Sequence, residues 1–419
     1  MQFTDEQVMF RDMVRRFVRD EITPHVDEWE EAGAFPAHAL FKQMGDLGLL
    51  GLTYPEAYGG QGLDFWYTAI LCEELGQGGA SGVSMGITVH TDMCTPALAR
   101  FGSHDLKQRF LAPAVRGETV GCIGVTEPDA GSDVAAIRTR AVRDGDEWVI
   151  TGRKLFITNG TQADWACLLA RTSEGADYHG MSLIMVPTTT PGFSVSRKLK
   201  KLGNWSSDTA ELVLDGVRVP VANTIGQEGM GFSYQMQQFE IERLVAAITT
   251  YSLLERVVRD AIAYTRERTT FGQPILWNQV VHFRFAELLT EIAMLKAFCH
   301  QTIERMIAGE TITTDAAMCK LKAGRLAREV TDSCLQYYGG MGYMEETPIS
   351  RAFRDARLIS IGGGADEIML GVIAKNERLT PARPRAEPAA AATRDDAAVV
   401  GAVAPAHAEL EPAAAGGAL

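Results

Sequence analysis

The sequence predicts an α+β protein made of three successive domains: helical, then antiparallel β, then helical again. Apolar residues recur at helical spacing towards both ends of the chain, and between them lie short β-branched and aromatic runs bounded by turn residues. Size agrees, since 419 residues with 46% hydrophobic content can bury a large core and by length fill two or three domains.

Residues 1–120 are expected to form the N-terminal helical domain. Thr4 and Gln7 make a capping box, and Val8, Phe10, Met13, Val14, Phe17 and Val18 follow on one helical face. Further helices are expected to begin near Phe41, Phe65, Thr91 and Ser103, with glycine-rich breaks such as Tyr58–Gly62 between them. The middle domain, 121–228, is read from strand-like runs at Trp148–Thr151, Leu155–Thr158, Ser182–Val186 and Glu211–Leu214. Helical periodicity returns over 229–378, in segments 230–267, 278–308 and 311–338 and a last helix through Leu370 and Ile373, which together predict a four-helix bundle. Residues 379–419 are mostly Ala, Pro, Gly and Glu, with prolines at 381, 384, 388, 405 and 412, and read as a disordered tail.

Composition excludes several classes of function. A net charge of −13 and a pI near 5.2 provide no basic field for nucleic acid. Seven cysteines spread singly, with no CxxC pair, suit reduced core thiols and a cytoplasmic protein. No basic segment leads into an apolar run at the N-terminus, and no stretch reaches the roughly 18–20 apolar residues that span a bilayer, so no membrane association is expected. Eight histidines without HxxxH or HExxH spacing indicate no metal site, and neither GxSxG nor GxxxxGK[ST] occurs.

Three segments carry chemistry. Glu242 lies on a long helical run opened by Gly229-Met230-Gly231, and Phe239, Val245 and Ala246 share its face. A carboxylate in an apolar stripe has its pKa pushed up from about 4.3, towards the range of a general base, although the segment taken alone also fits a solvated or Arg-paired glutamate. Cys122–Asp133 puts a strand end before a small-residue loop whose amides could hold a planar ring or a phosphate; alone it is equally a turn. Leu155–Gly160 sets Phe156 and Thr158 on one side of a strand, although Phe156 by itself also reads as plain core.

At their separation, these last two segments together resemble the flavin-holding loops of the acyl-CoA dehydrogenase family. The resemblance covers about residues 1–378 and extends to Arg266–Gly272 with Asn278-Gln279, to Gln336–Gly342 and to Arg354–Arg357. Gly339–Gly342 alone would pass for a helix-ending turn. The resemblance implies an acyl-CoA dehydrogenase-like fold with FAD held between the β domain and the C-terminal helices. It assigns Ile123, Val125, Thr126, Gly131, Ser132, Phe156 and Thr158 to the flavin end, with Ala365 and Glu367 also meeting the cofactor. Arg268, Phe271, Asn278, Gln279, Gln336, Gly339 and Gly340 would come from a neighbouring subunit, to hold pyrophosphate and adenine. The implied assembly is a homo-oligomer, a tetramer built as a dimer of dimers.

The implied reaction makes a trans-2-enoyl-CoA from an acyl-CoA and passes electrons to an electron-transfer flavoprotein. Many family members carry the base in a Tyr-Glu-Gly-Thr segment; the matching stretch here, Gly362–Ile368, has Gly363 at the glutamate position. The long-chain and isovaleryl branches place it instead in a Glu-Arg-Leu segment, matched by Glu242-Arg243-Leu244. Glu242 is therefore the expected base, ahead of Asp366 and Glu367, and the Gly363 amide would help bind the thioester oxygen. Ser132, Glu240 and Arg243 match substrate positions, although Glu240 and Arg243 could simply pair with each other. Gly203–Asp208 and Val280–Phe283 are similar to citronellyl-CoA dehydrogenase-like members, so branched, terpenoid or long acyl chains are expected. The alternatives are a dehydrogenase of carrier-protein thioesters, a flavin monooxygenase on the same fold, and a non-catalytic acyl-thioester binding protein.

Overall fold

Thr4 begins the first helix as its sequence suggests: its hydroxyl accepts the Gln7 N–H at 3.2 Å and Gln7 Oε1 accepts the Thr4 N–H at 3.1 Å. The computed structural model describes residues 3–174 and 178–379; the expected disordered tail, apart from Leu379, lies outside the described residues. The N-terminal part contains helices α1 (Asp5–Phe17), α2 (Val26–Ala32), α3 (Ala37–Asp46), α4 (Phe65–Gly76), α5 (Ser81–Thr88), α6 (Pro96–Phe101), α7 (His104–Leu106) and α8 (Ala112–Val115). Apart from Tyr67, α4 is buried all round, which follows from its near-continuous apolar sequence. Its Glu73 and Glu74 are both tied to α1, Glu73 to Arg11 at 2.5 Å and Glu74 to Arg15 at 3.0 Å.

Two expected helix starts are corrected. The helix through Phe41 begins earlier, at Ala37, and Thr91 lies within a π-helical turn, Val89–Cys94, that continues α5. Gly82 and Gly86 obscure α5 in the sequence because glycine disfavours helix, yet the packing requires them. A Cβ on Gly82 would sit 2.4 Å from Ser206 Oγ, and one on Gly86 2.4 Å from the Phe35 ring.

The middle region is a seven-stranded sheet of β1 (Gly121–Gly124), β2 (Arg140–Asp144), β3 (Glu147–Thr158), β4 (Trp165–Arg171), β5 (Met181–Pro187), β6 (Phe193–Lys198) and β7 (Thr209–Pro220). Strand order is β1-β4-β2-β3-β7-β6, with β5 also paired to β4. Pairing is antiparallel except for β1 with β4 and β2 with β4, a detail that residue alternation does not resolve.

Helices α9 (Gly231–Glu267), α10 (Gln279–Ile307), α11 (Thr313–Tyr338) and α13 (Asp366–Asn376) form the C-terminal bundle, with the short α12 (Pro348–Ala356) beside them; a small hairpin, β8 (Thr269–Thr270) and β9 (Gln273–Pro274), links α9 to α10. These bounds lie within two residues of those read from periodicity. At 37 residues α9 is roughly 55 Å long. Its first residue must be glycine, since a Cβ on Gly231 would lie 2.5 Å from the backbone of Ser182 and Leu183, so the helix N-terminus is pressed onto β5. No helix among the described residues is long and apolar enough to cross a membrane.

Candidate active site

Glu242 lies two to three turns into α9, where the helix packs against the π-helical turn Val89–Cys94, and its side chain is only 7% exposed. Gln238 and Gln235, four and seven residues earlier on the same face, both donate to Glu242 Oε1, at 3.2 and 3.4 Å. Burial pushes the carboxyl up to about 8, against the hydrogen bond from Gln238 and the charge of Arg243; Asp92 adds to the rise. Asp92 is itself buried and raised to about 6 by desolvation. Cys94 and Cys167, also buried, are raised chiefly by burial and further by the Glu242 charge.

The geometry decides against an Arg-paired glutamate. No ion pair joins Glu242 to Arg243 among the described residues; the Arg243 guanidinium lies 5.8 Å from the Phe239 ring centroid and its buried Nε has no hydrogen-bond partner. Glu240 does not pair with Arg243 either, and accepts instead from the Thr313 hydroxyl. The rival carboxylates are otherwise engaged: Asp366 meets Arg328 at 3.2 Å, while Glu367 is exposed. One turn beyond Glu242, Ala246, Thr249 and Thr250 line a narrow cleft with Met85, Thr88 and Met93, of volume ≈ 40 Å³. That is room for two or three waters, so an acyl chain entering there would have to widen it.

Gly363 lies in an exposed bend before α13, with φ +63°, and a Cβ built on it meets nothing within 4 Å. The buried Lys320 of α11 donates to the Gly364 carbonyl and braces this bend; burial pulls its ammonium down to about 8. Ala365 is half-buried at the N-cap of α13. Lys320 was not singled out from sequence, because a lysine on an amphipathic helix ordinarily reads as solvated.

Ile123 is half-buried near the end of β1, and Val125 and Thr126 follow, half-buried. Thr126 accepts the Leu155 N–H at 2.9 Å, so the loop is stitched to β3. The fully buried Lys154 donates to the Val125 carbonyl at 3.1 Å and the Leu169 carbonyl at 2.7 Å, and pairs with Glu127 at 2.8 Å. Gly131 and Ser132 are exposed beyond it. A register shift between Lys154 and Ile157 interrupts the expected alternation. Phe156 adopts φ +62° there and is 65% exposed, Ile157 turns inward, and Thr158 is half-buried. Left-handed backbone at a bulky residue costs roughly 1–2 kcal/mol, and here it serves to present an aromatic ring outward.

The remaining expected cofactor residues gather at the far end of the bundle. Arg268 caps α9, Phe271 lies in the hairpin, Asn278 and Gln279 open α10, and Gln336, Gly339 and Gly340 close α11; all are exposed. Tyr264 stacks on Tyr338 at 4.1 Å, which fixes the end of α9 against that of α11. Cβ atoms on Gly131, Gly339 and Gly340 would meet nothing within 4 Å. Open backbone at these glycines and an outward-facing Phe156 ring fit a flat, phosphate-bearing cofactor such as FAD.

Comparison with known proteins matches this arrangement along nearly its whole length. Residues 4–118, 122–217 and 229–377 match the "Acyl-CoA dehydrogenase" N-terminal, middle and C-terminal domain families in turn. The long-chain specific acyl-CoA dehydrogenase of Sus scrofa mitochondria is 38% identical over 375 residues, 89% of this chain and 86% of that one. The crystal structure of an acyl-CoA dehydrogenase from Geobacillus kaustophilus superposes with a TM-score of 0.86 at 39% identity, covering 90% of this chain and 98% of the other. The prolyl acyl carrier protein oxidase AnaB superposes with a TM-score of 0.85 at 28% identity, covering 90% and 100%.

Proposed function

The chain belongs to the acyl-CoA dehydrogenase family of FAD enzymes, and from that premise we propose that Glu242 removes the α-proton of an acyl-CoA during its oxidation to the trans-2-enoyl-CoA. The observation that carries this reading is a buried carboxyl raised to about 8, held by two amide donors and without an ion pair among the described residues. A base held near neutrality in a dry site is matched to abstracting a carbon acid's proton. FAD, when bound, supplies the acceptor for the β-hydride.

The chain's own groups divide the remaining work. Val125, Thr126, Gly131, Ser132, Phe156 and Thr158, with Ile123 behind them, hold the flavin end, and the Lys154–Glu127 pair fixes the loop from below. Ala365 and Glu367 meet the cofactor from the start of α13. The Gly363 N–H donates to the thioester oxygen, where negative charge develops as the α-proton leaves. Ser132, Glu240 and Arg243 bind substrate. Twenty-six residues of α9 separate Glu242 from Arg268, roughly 39 Å. Such a span supports a cofactor whose adenine end is held by Arg268, Phe271, Asn278, Gln279, Gln336, Gly339 and Gly340 of a second copy; a tetramer built as a dimer of dimers belongs to the same reading. Domain limits at 121, 229 and 379, electron-transfer flavoprotein as acceptor, a branched, terpenoid or long acyl chain and a cytoplasmic location belong to the same reading.

Anaerobic addition of straight and branched acyl-CoA esters tests it. The wild-type flavin should bleach, and the Glu242→Gln protein should bind FAD yet stay yellow; bleaching of that variant at the wild-type rate removes Glu242 from the role. One observation favours a second reading, the likeness to a carrier-protein oxidase. Bleaching by an acyl-carrier-protein thioester and not by its CoA counterpart would select it.

A further inference from the structure

Glu242 presents two oxygens, and among the described residues both hydrogen bonds go to the same one, Oε1. The stronger comes from Gln238, whose carboxamide is fixed from three sides. Gln238 Oε1 accepts the Ala97 N–H at 3.0 Å, and Gln238 Nε2 donates to the Met93 carbonyl as well as to Glu242. The amide's orientation is thereby forced. If it were flipped, its NH₂ would face the Ala97 N–H and its oxygen the Met93 carbonyl, donor against donor and acceptor against acceptor. Both backbone partners belong to the end of the π-helical turn Val89–Cys94 and the start of α6, so the clamp is anchored outside the helix that carries the base.

Resting on the reading of Glu242 as the base, we infer that Gln238 is its positioning residue: it pins Oε1 with one N–H, so that Oε2 receives the substrate proton. The amide also stabilises the carboxylate over the acid, opposing the surroundings. The titratable groups around Glu242 are Asp92 and Cys94 from the π-helical turn, Cys167 from β4, and Arg243 on its own helix; of these only Arg243 favours the charged form. Gln235 adds a longer bond to the same oxygen, and its own buried Oε1 has no partner among the described residues, so it is the less constrained of the two.

The test is the pH dependence of kcat/KM in the FAD-loaded Gln238→Met protein, which keeps side-chain length and removes the donor. The acid limb should move alkaline by about one unit, giving about a tenfold loss at neutral pH that is largely recovered well above the limb. An equal fractional loss at every pH, with the limb unmoved, overturns the inference and leaves Gln238 a packing residue. Should Gln238→Met lose its flavin, Gln238→Leu, which is also neutral and has no donor, is read the same way: an alkaline shift supports the clamp and an unmoved limb overturns it. Glu242→Gln is measured in parallel. If turnover and limb survive in that variant, it is the assignment of the base that fails, a result distinct from either outcome at Gln238.

Discussion

Lys154 Nζ lies 2.8 Å from Glu127 Oε1, and both side chains are buried. Against burial, which raises it, the Lys154 ammonium and the hydrogen bonds from Thr139 and Arg138 hold the Glu127 carboxyl below its usual range. Removing one partner of a buried pair typically costs about 3–5 kcal/mol, because the other charge is left uncompensated. Lys154→Met is therefore expected to melt earlier and to purify with less flavin, since the same ammonium holds the Val125 carbonyl. Adding Glu127→Gln should restore part of both. The checks are calorimetry and the ratio of flavin to protein absorbance.

Activity should depend steeply on pH. If Glu242 is the base proposed above, it works as the carboxylate, which burial pushes up to about 8, so kcat/KM should fall about tenfold per unit as pH drops below 8. A pH–rate profile with a flat response between 6 and 8 would contradict this.

The same group makes a stability prediction of opposite sense. Its folded pKa stands above an unfolded value of about 4.3, so its contribution to stability is fully present at low pH and is lost as pH rises through about 8. Glu242→Gln removes that alkaline penalty. The variant should melt above wild type at pH 9, and the gap should shrink as pH falls from about 8 and close only near pH 4, below the unfolded value, as followed by calorimetry.

Moving the base back should also work. A Cβ on Gly363 meets open space, although its φ of +63° costs a non-glycine residue roughly 1–2 kcal/mol. The double variant Glu242→Gln, Gly363→Glu is expected to regain bleaching that Glu242→Gln lacks, at a rate below wild type. Stopped-flow reduction of the flavin would show it.

Lys320→Met should lower kcat/KM by about 10- to 100-fold with flavin content unchanged, because it frees the Gly364 carbonyl and with it the bend that carries Gly363. Steady-state kinetics beside the flavin spectrum separate this outcome from a loss of cofactor.

Much was legible in the sequence because it rests on local rules. Helical periodicity placed α9, α10, α11 and α13, the Thr4–Gln7 cap marked the first helix, and apolar neighbours at three- and four-residue spacing marked Glu242 as buried. Gly363 was noticed because a residue type was missing where a carboxylate is common. The flavin loops and the C-terminal motifs, in order, carried the resemblance to the family.

Tertiary structure decided what depends on contacts across the chain. That Gln238 reaches Met93 and Ala97, that Lys154 and Lys320 are buried braces, and that Phe156 is turned outward by a register shift all follow from segments far apart in sequence. The parallel pairing of β4 with β1 and β2 belongs here too. The physical reason is the same throughout: residue spacing fixes which face a side chain lies on, whereas its partner, and so its charge state, is set by what the fold packs against that face.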